Sequence, residues 1–427
     1  MSMNCRHRSS VNLLTLNRSV LTKDMRSALL LWLSLSSVFN GYGQMVTISA
    51  KALDHETKEP LPYASVGLRG QPIGTITNLD GAFDFHFPAS LSGEIFVISM
   101  LGYANYEVAA SSLLESPQGE ILLNKSSTLL NTLVVSDTLT GGDILRIALM
   151  RLDNNHPTTP YLMDAFYRDL KKIGSTYVSL LEAAIKVYDE DFREPRNKSK
   201  LRERVQLLEV GRSLGYTHKF TKYFDEGNLL EEMLLTNNIR YRQFPTEEHF
   251  FDMVKRGKNT VLDGREVFVI SFQDEDKLSA IVDQKTFGIL HFEYEFNKER
   301  PFSKKQGMVS KFVGLKKIVD YKFFEGKLYL NFMKVSSKIN WYDLKTDKLK
   351  FETELEQQLL VNQVFPNTDE RIGITSKMRR YGLQYQDQPY NKEFWDRYNV
   401  IKESPLDARI IADLERDGPL EKQFGKY

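Results

Sequence analysis

A mainly β chain is what this sequence predicts: a small sandwich, then a larger antiparallel β-rich α+β domain with a few helices. Three observations predict it. Over residues 74–87, Asn78-Leu79-Asp80-Gly81 reads as a turn, because Asn and Asp bond their own backbone and Gly accepts positive φ, and Phe83, Phe85 and Phe87 then alternate with Asp84 and His86 at the period of a half-buried strand. Further on, Leu290, Phe292, Tyr294 and Phe296 alternate with His291, Glu293 and Glu295, which leaves one face dry and the other wet. Finally, long strand patterns flank two-residue turns at Gly174-Ser175 and Glu325-Gly326, as hairpins do.

The chain has 427 residues, too many for one small core, and its 41% hydrophobic and 26% charged fractions are ordinary for a folded protein. A formal net charge of +1 implies no domain-wide basic face, so nucleic acid is not an expected partner. The single cysteine, Cys5, precedes the export signal described next, so burial and not disulfides must stabilise the mature chain.

Residues 1–44 read as that signal. Met25-Arg26 is a charged start, residues 28–38 form an apolar run too short to span a bilayer, and Gly41-Tyr42-Gly43 is a small-x-small cleavage site before Gln44. Residues 1–24 are polar and basic, which makes Met25 the expected initiator. Cys5 lies ahead of the apolar run and so cannot be the lipidated cysteine of a lipoprotein. The expected location is the periplasm or the periplasmic side of the outer membrane.

Residues 45–125 give strand, turn, strand: Val46-Thr47-Ile48 opens, a proline-punctuated turn covers 57–62, and strands follow at 64–68, after the Asn78 turn, and at 94–100. Short strands at this spacing form a sandwich. Residues 126–156 are a Ser/Thr-rich linker with an apolar island, Leu133-Val134-Val135, then a short helix with Asp143 as N-cap and Ile144, Ile147 and Ala148 on one face. The β-rich domain spans 157–391. Its hairpin arms are 161–170 with 177–188 and 319–324 with 327–335, and residues 267–272 are apolar on both faces. The charged interval 189–204 mixes both signs and reads as a solvated loop. Residues 392–427 carry the aromatic cluster Phe394, Trp395 and Tyr398, then a helix with Ser404 as N-cap, Pro405 at its first position, a Leu406, Ile410 and Leu414 stripe, and a stop at Gly418-Pro419. That helix is expected to dock onto the second domain near the aromatic cluster.

The stretches KEPLPYASVGLRG, GTITNLDGAFDFHFP and ISMLGY, in that order, resemble the carboxypeptidase-regulatory-like domain. The resemblance implies a seven-strand transthyretin-like sandwich, which Bacteroidota place at the N-termini of SusC-type TonB-dependent transporters and of many other exported proteins. It gives the motif's glycine, asparagine and aspartate a structural turn role and no chemistry. YLMDAFYRDL, EAAIKVY, LDGREVFVISF, VDQKTFGILHFEYEF and FWDRYNVI resemble exported Bacteroidota proteins in which such a sandwich precedes a β-rich region of unassigned function. The pairing of DGREVFVISF with VDQKTFGILHFEYE also resembles the meander of lipoprotein-carrier folds, which implies a curved open sheet around an apolar cavity. Leu133-Val134-Val135 resembles the apolar segment after this domain in TonB-dependent receptors, and Asp137-Thr138-Leu139 resembles the O-glycosylation sequon of these bacteria. A strand end with a flexible tether accounts for the same residues by composition.

Three constellations were weighed for chemistry. None of the seven histidines stands in H-E-x-x-H or H-x-x-E spacing, which argues against a zinc peptidase. Gly211-Arg212-Ser213-Leu214-Gly215 matches the G-x-S-x-G nucleophile elbow, with His218, His249 or His291 as the base of a serine hydrolase centred on Ser213. That motif requires a sharp strand-to-helix turn and an oxyanion loop, neither of which the neighbouring sequence offers, so a glycine-rich loop is expected there. His291, Glu293 and Glu295 share one strand face and could share a metal if a further ligand came from elsewhere; a wet strand face is the ordinary reading. No catalytic, cofactor-binding or metal residue is assigned, and no cofactor is expected. The expectation is a non-catalytic exported cell-envelope protein. Its sandwich serves docking or assembly, and its second domain binds an apolar or extended ligand (lipid, peptide or glycan) or an outer-membrane β-barrel or envelope complex. The 11% aromatic content motivates the ligand reading, because a sheet lined by Phe and Tyr offers a cavity.

Overall fold

The period-2 patterns become strands. The computed structural model describes residues 44–126, 139–215, 223–224, 228–274, 276–305, 307–378, 383 and 389–415. The expected signal up to residue 43, Thr138, His218 and Gly418-Pro419 lie outside them.

The N-terminal part has seven strands: β1 (Met45–Asp54), β2 (Ser65–Leu68), β3 (Gly74–Ile76), β4 (Ala82–Pro88), β5 (Ile95–Ser99), β6 (Tyr106–Ala109) and β7 (Glu120–Leu123), with α1 (Ala110–Glu115) between the last two. They form two sheets, ordered β4-β1-β7 and β3-β2-β5-β6, a sandwich as the alternation requires. Phe83, Phe85 and Phe87, from one face of β4, are fully buried in its core, where Phe83 stacks with Phe96 and Phe85 with Phe87. The turn before β4 is closed by Asn78, whose Oδ1 accepts from the backbone N–H of Asp80 at 2.9 Å and of Ala82 at 2.8 Å. Gly81 sits at φ 72°, and a Cβ there would lie 2.4 Å from the carbonyl oxygen of Ala52. Only glycine fits.

The second part is one twelve-stranded sheet. Its main path runs β10 (Arg204–Gly215), β9 (Thr176–Asp189), β8 (Tyr161–Ile173), β19 (Leu349–Pro366), β18 (Lys327–Asp343), β17 (Met308–Phe324), β15 (Ile289–Phe296), β14 (Asp276–Asp283), β13 (Arg265–Gln273) and β11 (Lys255–Arg256). The short β12 (Thr260–Leu262) pairs with β13, and β16 (Arg300–Lys305) with β17. Every pairing is antiparallel. Both hairpins read from the sequence are present, with arms longer than the apolar runs alone indicate; Glu325 (φ 49°) and Gly326 (φ 75°) make the left-handed turn that matches strand twist.

Both faces of this sheet are covered. On the inner face lie α2 (Gly141–Met150), α3 (Leu152–Asn155), α4 (Leu229–Leu235) and α5 (Glu248–Met253). Ile144, Leu145, Met233 and Phe250 meet Tyr167, Ile185, Phe292 and Met333 in one continuous core. The cap of α2 differs from expectation: Thr140 is the N-cap and Asp143 the third helical residue, each bonding the other's backbone N–H. The reciprocal box satisfies two orphan donors where a lone Asp143 cap would satisfy one.

The charged interval 189–204 is not simply solvated. Asp189, Asp191 and Glu203 are buried: Asp191 is paired within the interval by Arg193 and Arg202, each at 2.8 Å, whereas Arg240 bonds Asp189 at 2.8 Å and faces Glu203 at 3.3 Å, and Tyr241 donates to Glu203 at 2.6 Å. The cation that neutralises Asp189 and Glu203 lies 51 positions beyond Asp189, outside the reach of local charge counting.

On the outer face sit the sandwich and a C-terminal strap, α6 (Lys392–Trp395) through α7 (Pro405–Glu415). Ser404 caps α7 and Asp407 answers it in a second reciprocal box. Ile410 and Leu414 pack on Leu180 of β9; Trp395 meets Phe166 edge to face. Between the helices the strap fastens sandwich to sheet. Asn78 Nδ2 donates to the carbonyls of Lys402 (3.2 Å) and Glu403 (3.3 Å), Asn399 exchanges two bonds with the backbone of His86, and Lys402 reaches Asp84 at 2.7 Å. Arg168 and Asn362 of the sheet donate to the carbonyls of Ile401 and Asn399. Residues 45–427 accordingly form one compact unit.

Asn78→Ala is expected to destabilise the chain by about 1–3 kcal/mol in urea unfolding, because buried backbone groups on the turn and strap lose their partner. Asn78→Asp keeps the acceptor and loses the donor, so it should fall between the two.

Candidate functional site

The sandwich touches the sheet at separated points, and a cavity of about 290 Å³ remains between them. One contact joins Gly102 N–H to Val261 O at 3.1 Å; another joins Val364 N–H to Pro72 O at 2.9 Å. The floor is the outer face of β15, β17 and β18. Pairing His291 with Asp320, Glu293 with Ile318, and Asp320 with Phe332 puts these side chains on the same face, where Lys322 joins them two residues beyond Asp320. The roof is Tyr63, Met100 and Leu101 of the sandwich, and the β12–β13 turn supplies Leu262, Asp263 and Arg265 at the side.

The polar groups of the floor are strongly organised. His291 Nδ1 lies 2.5 Å from Asp320 and Nε2 lies 3.4 Å from Glu293. Burial opposes charge on this ring, yet the charge and hydrogen bond of Asp320, reinforced by Glu293, push its pKa up to about 10. The hydrogen bond from His291 in turn holds Glu293 below the usual carboxylate range, with Lys316 at 3.7 Å assisting. The site therefore holds an imidazolium between two carboxylates. Both ring nitrogens face carboxylates, Glu295 turns to Lys277 at 3.5 Å, and no group of three His, Cys, Asp or Glu side chains placed to hold a metal ion occurs among the described residues. Lys322 is different. It forms no hydrogen bond or ion pair among the described residues, and burial pushes its pKa down.

Residues 48–135 match the CarboxypepD_reg-like domain.

The sandwich that roofs the cavity is thus a CarboxypepD_reg-like domain. No curated protein matches the chain. Among solved structures, lipovitellin aligns over 53% of this chain and 27% of its own at 6% identity with a TM-score of 0.24. MucB in complex with the periplasmic part of MucA aligns over 53% and 99% at 9% identity and 0.17. A protein of unknown function from Bacteroides fragilis NCTC 9343 aligns over 75% and 98% at 9% identity and 0.14. Scores this low establish no common fold.

The G-x-S-x-G match lies elsewhere. Residues 211–215 are neither an elbow nor a glycine-rich loop but the end of β10, an edge strand antiparallel to β9, with Ser213 opposite Leu181. Gly211 has a packing reason: a Cβ there would lie 2.9 Å from the Trp395 ring. His249 is exposed on α5 and His291 is committed to Asp320, while His218 lies outside the described residues.

The inner face also keeps a groove, of about 270 Å³, between α4 and β16–β19, lined by Phe302, Phe312, Leu315, Val335 and Ile339. A second groove, of about 230 Å³, lies beside α5 and is lined by Phe244, Phe250, Phe272 and Leu278. The sequence singled out His291 and Glu293 but not Asp320 or Lys322, although both alternate with apolar Val319, Tyr321 and Phe323; what no local pattern reveals is that the CarboxypepD_reg-like domain covers them.

His291 makes stability depend on pH. Its folded pKa of about 10 exceeds the ordinary 6.5, so its contribution is complete below about pH 6.5 and is lost as pH rises through about 10. Urea midpoints should fall across that window and Asp320→Asn should flatten the fall, with the His291 ring titration followed by NMR.

Proposed function

We propose that this chain is a non-catalytic, exported cell-envelope protein that holds an apolar or extended ligand in the cavity between its CarboxypepD_reg-like domain and the outer face of its sheet. The observation that carries this reading is the cavity itself: two separately folded walls meet around it, apolar side chains line both, and a few charged groups converge at one side. At about 290 Å³ it stands near the lower end of ligand sites, roughly 300–1,000 Å³. A single slender chain or a small ring system suits it. Export rests on the charged start, short apolar run and small-x-small site of residues 25–43. No helix among the described residues is long and apolar enough to cross a membrane. The sandwich docks first of all onto its own sheet, which favours a ligand held inside the chain over a β-barrel partner as the primary task.

An apolar naphthylamine dye tests the cavity by its gain in fluorescence. Ile318→Trp fills the floor and should weaken binding at least about tenfold, about 1.4 kcal/mol, without lowering the melting temperature. Leu355→Trp, in the inner groove, should leave binding unchanged. The opposite pattern would move the ligand to the inner groove and overturn this reading.

A further inference from the structure

The charges around the cavity cancel almost entirely within the protein. Arg265 is paired with Asp283 at 3.4 Å and lies over the Phe323 ring, 3.9 Å from its centroid. His291 is held by Asp320 and Glu293, and Glu293 also meets Lys316. Asp263 belongs to the β12–β13 turn, at φ 50°; it attracts Lys322 from a distance but forms no ion pair with it. Two lining charges remain without an ion-pair partner among the described residues: the Asp263 carboxylate on the turn, and the Lys322 ammonium on the floor. Its Nζ lies 3.2 Å from where a Cβ on Gly67 would be, so the side chain reaches across to the sandwich and ends at the seam between the two walls. Lys322 is half-buried, and an ammonium partly withdrawn from water without an ion-pair partner gains from an anion brought by a ligand.

We infer that the cavity selects an anionic amphiphile, with a carboxylate or phosphate head on Lys322 and an apolar body along Ile318, Phe332 and Met100. This rests on the cavity reading above and adds the class of ligand to it. The inner groove offers no such discrimination, since no lysine or arginine lines it. Lysine suits the task because its compact ammonium takes either head as a point charge, without the bidentate geometry that arginine imposes. The apolar wall supplies affinity and the single cation supplies selectivity.

The test compares single-chain probes of equal length by calorimetry on the full chain: dodecanoate, dodecyl phosphate, dodecanol and dodecyltrimethylammonium. The anions should bind about 10- to 100-fold tighter than the alcohol, the range of one charge-assisted hydrogen bond, and the cationic probe weakest. Lys322→Gln should bring the anions down to the alcohol while leaving the alcohol unchanged, and Lys322→Arg should keep most of the preference. The relative affinity of phosphate and carboxylate then assigns the head, either order supporting an anionic ligand. Equal binding of anion and alcohol, unaltered by Lys322→Gln, would overturn the inference and leave the cavity reading intact. If no probe binds, or if Ile318→Trp does not weaken the alcohol, the cavity reading falls and this inference with it.

Discussion

A sheet of twelve antiparallel strands has two faces to cover, and the rest of this structure follows from that requirement. Antiparallel sheets commonly leave one face to water. Here helices α2 to α5 take the inner face, and the outer face is shared by the CarboxypepD_reg-like sandwich and the strap. The two coverings differ in kind. Helical side chains interdigitate with the inner face into one large core. The sandwich is itself a finished body with its own core, so it meets the sheet at points and not over a whole surface. The cavity is the space that such a meeting leaves.

That origin explains the electrostatics of the site. Strand positions that would be wet on an uncovered face, His291, Glu293, Asp320 and Lys322, are roofed over. Three of them settle their charges with one another, the imidazolium between two carboxylates. The fourth is left over. Among the charged side chains that line the cavity, His291, Glu293, Asp320 and Arg265 are held in ion pairs, while Lys322 and Asp263 are not.

Much of the fold was legible because period-2 patterning is a local signal. The Phe83, Phe85 and Phe87 alternation, both hairpin turns and the Ser404 cap all appear where the residues place them, and the Asn78 turn has the structural role that its composition implies. What was missed depends on distant partners. The burial of Asp189 and Glu203 needs Arg240, the glycine at strand position 211 answers to Trp395, and the cap of α2 turns on Thr140, one turn before the acid that drew notice. The site itself was half visible. His291 and Glu293 stand out as polar groups on a strand, but the roof that makes them a site comes from residues far earlier in the chain.

The strap has a temporal consequence as well as a spatial one. Asn78 and the carbonyl it grips at Lys402 are 324 positions apart. Chains emerge from the ribosome with the amino end in front. The sandwich is therefore complete long before the segment that fastens it arrives, and the sheet must assemble beside a neighbour that is still loose. The bonds from Asn399 and Lys402 to β4, and from Asn78 to the strap, are therefore among the last contacts that the growing chain can make.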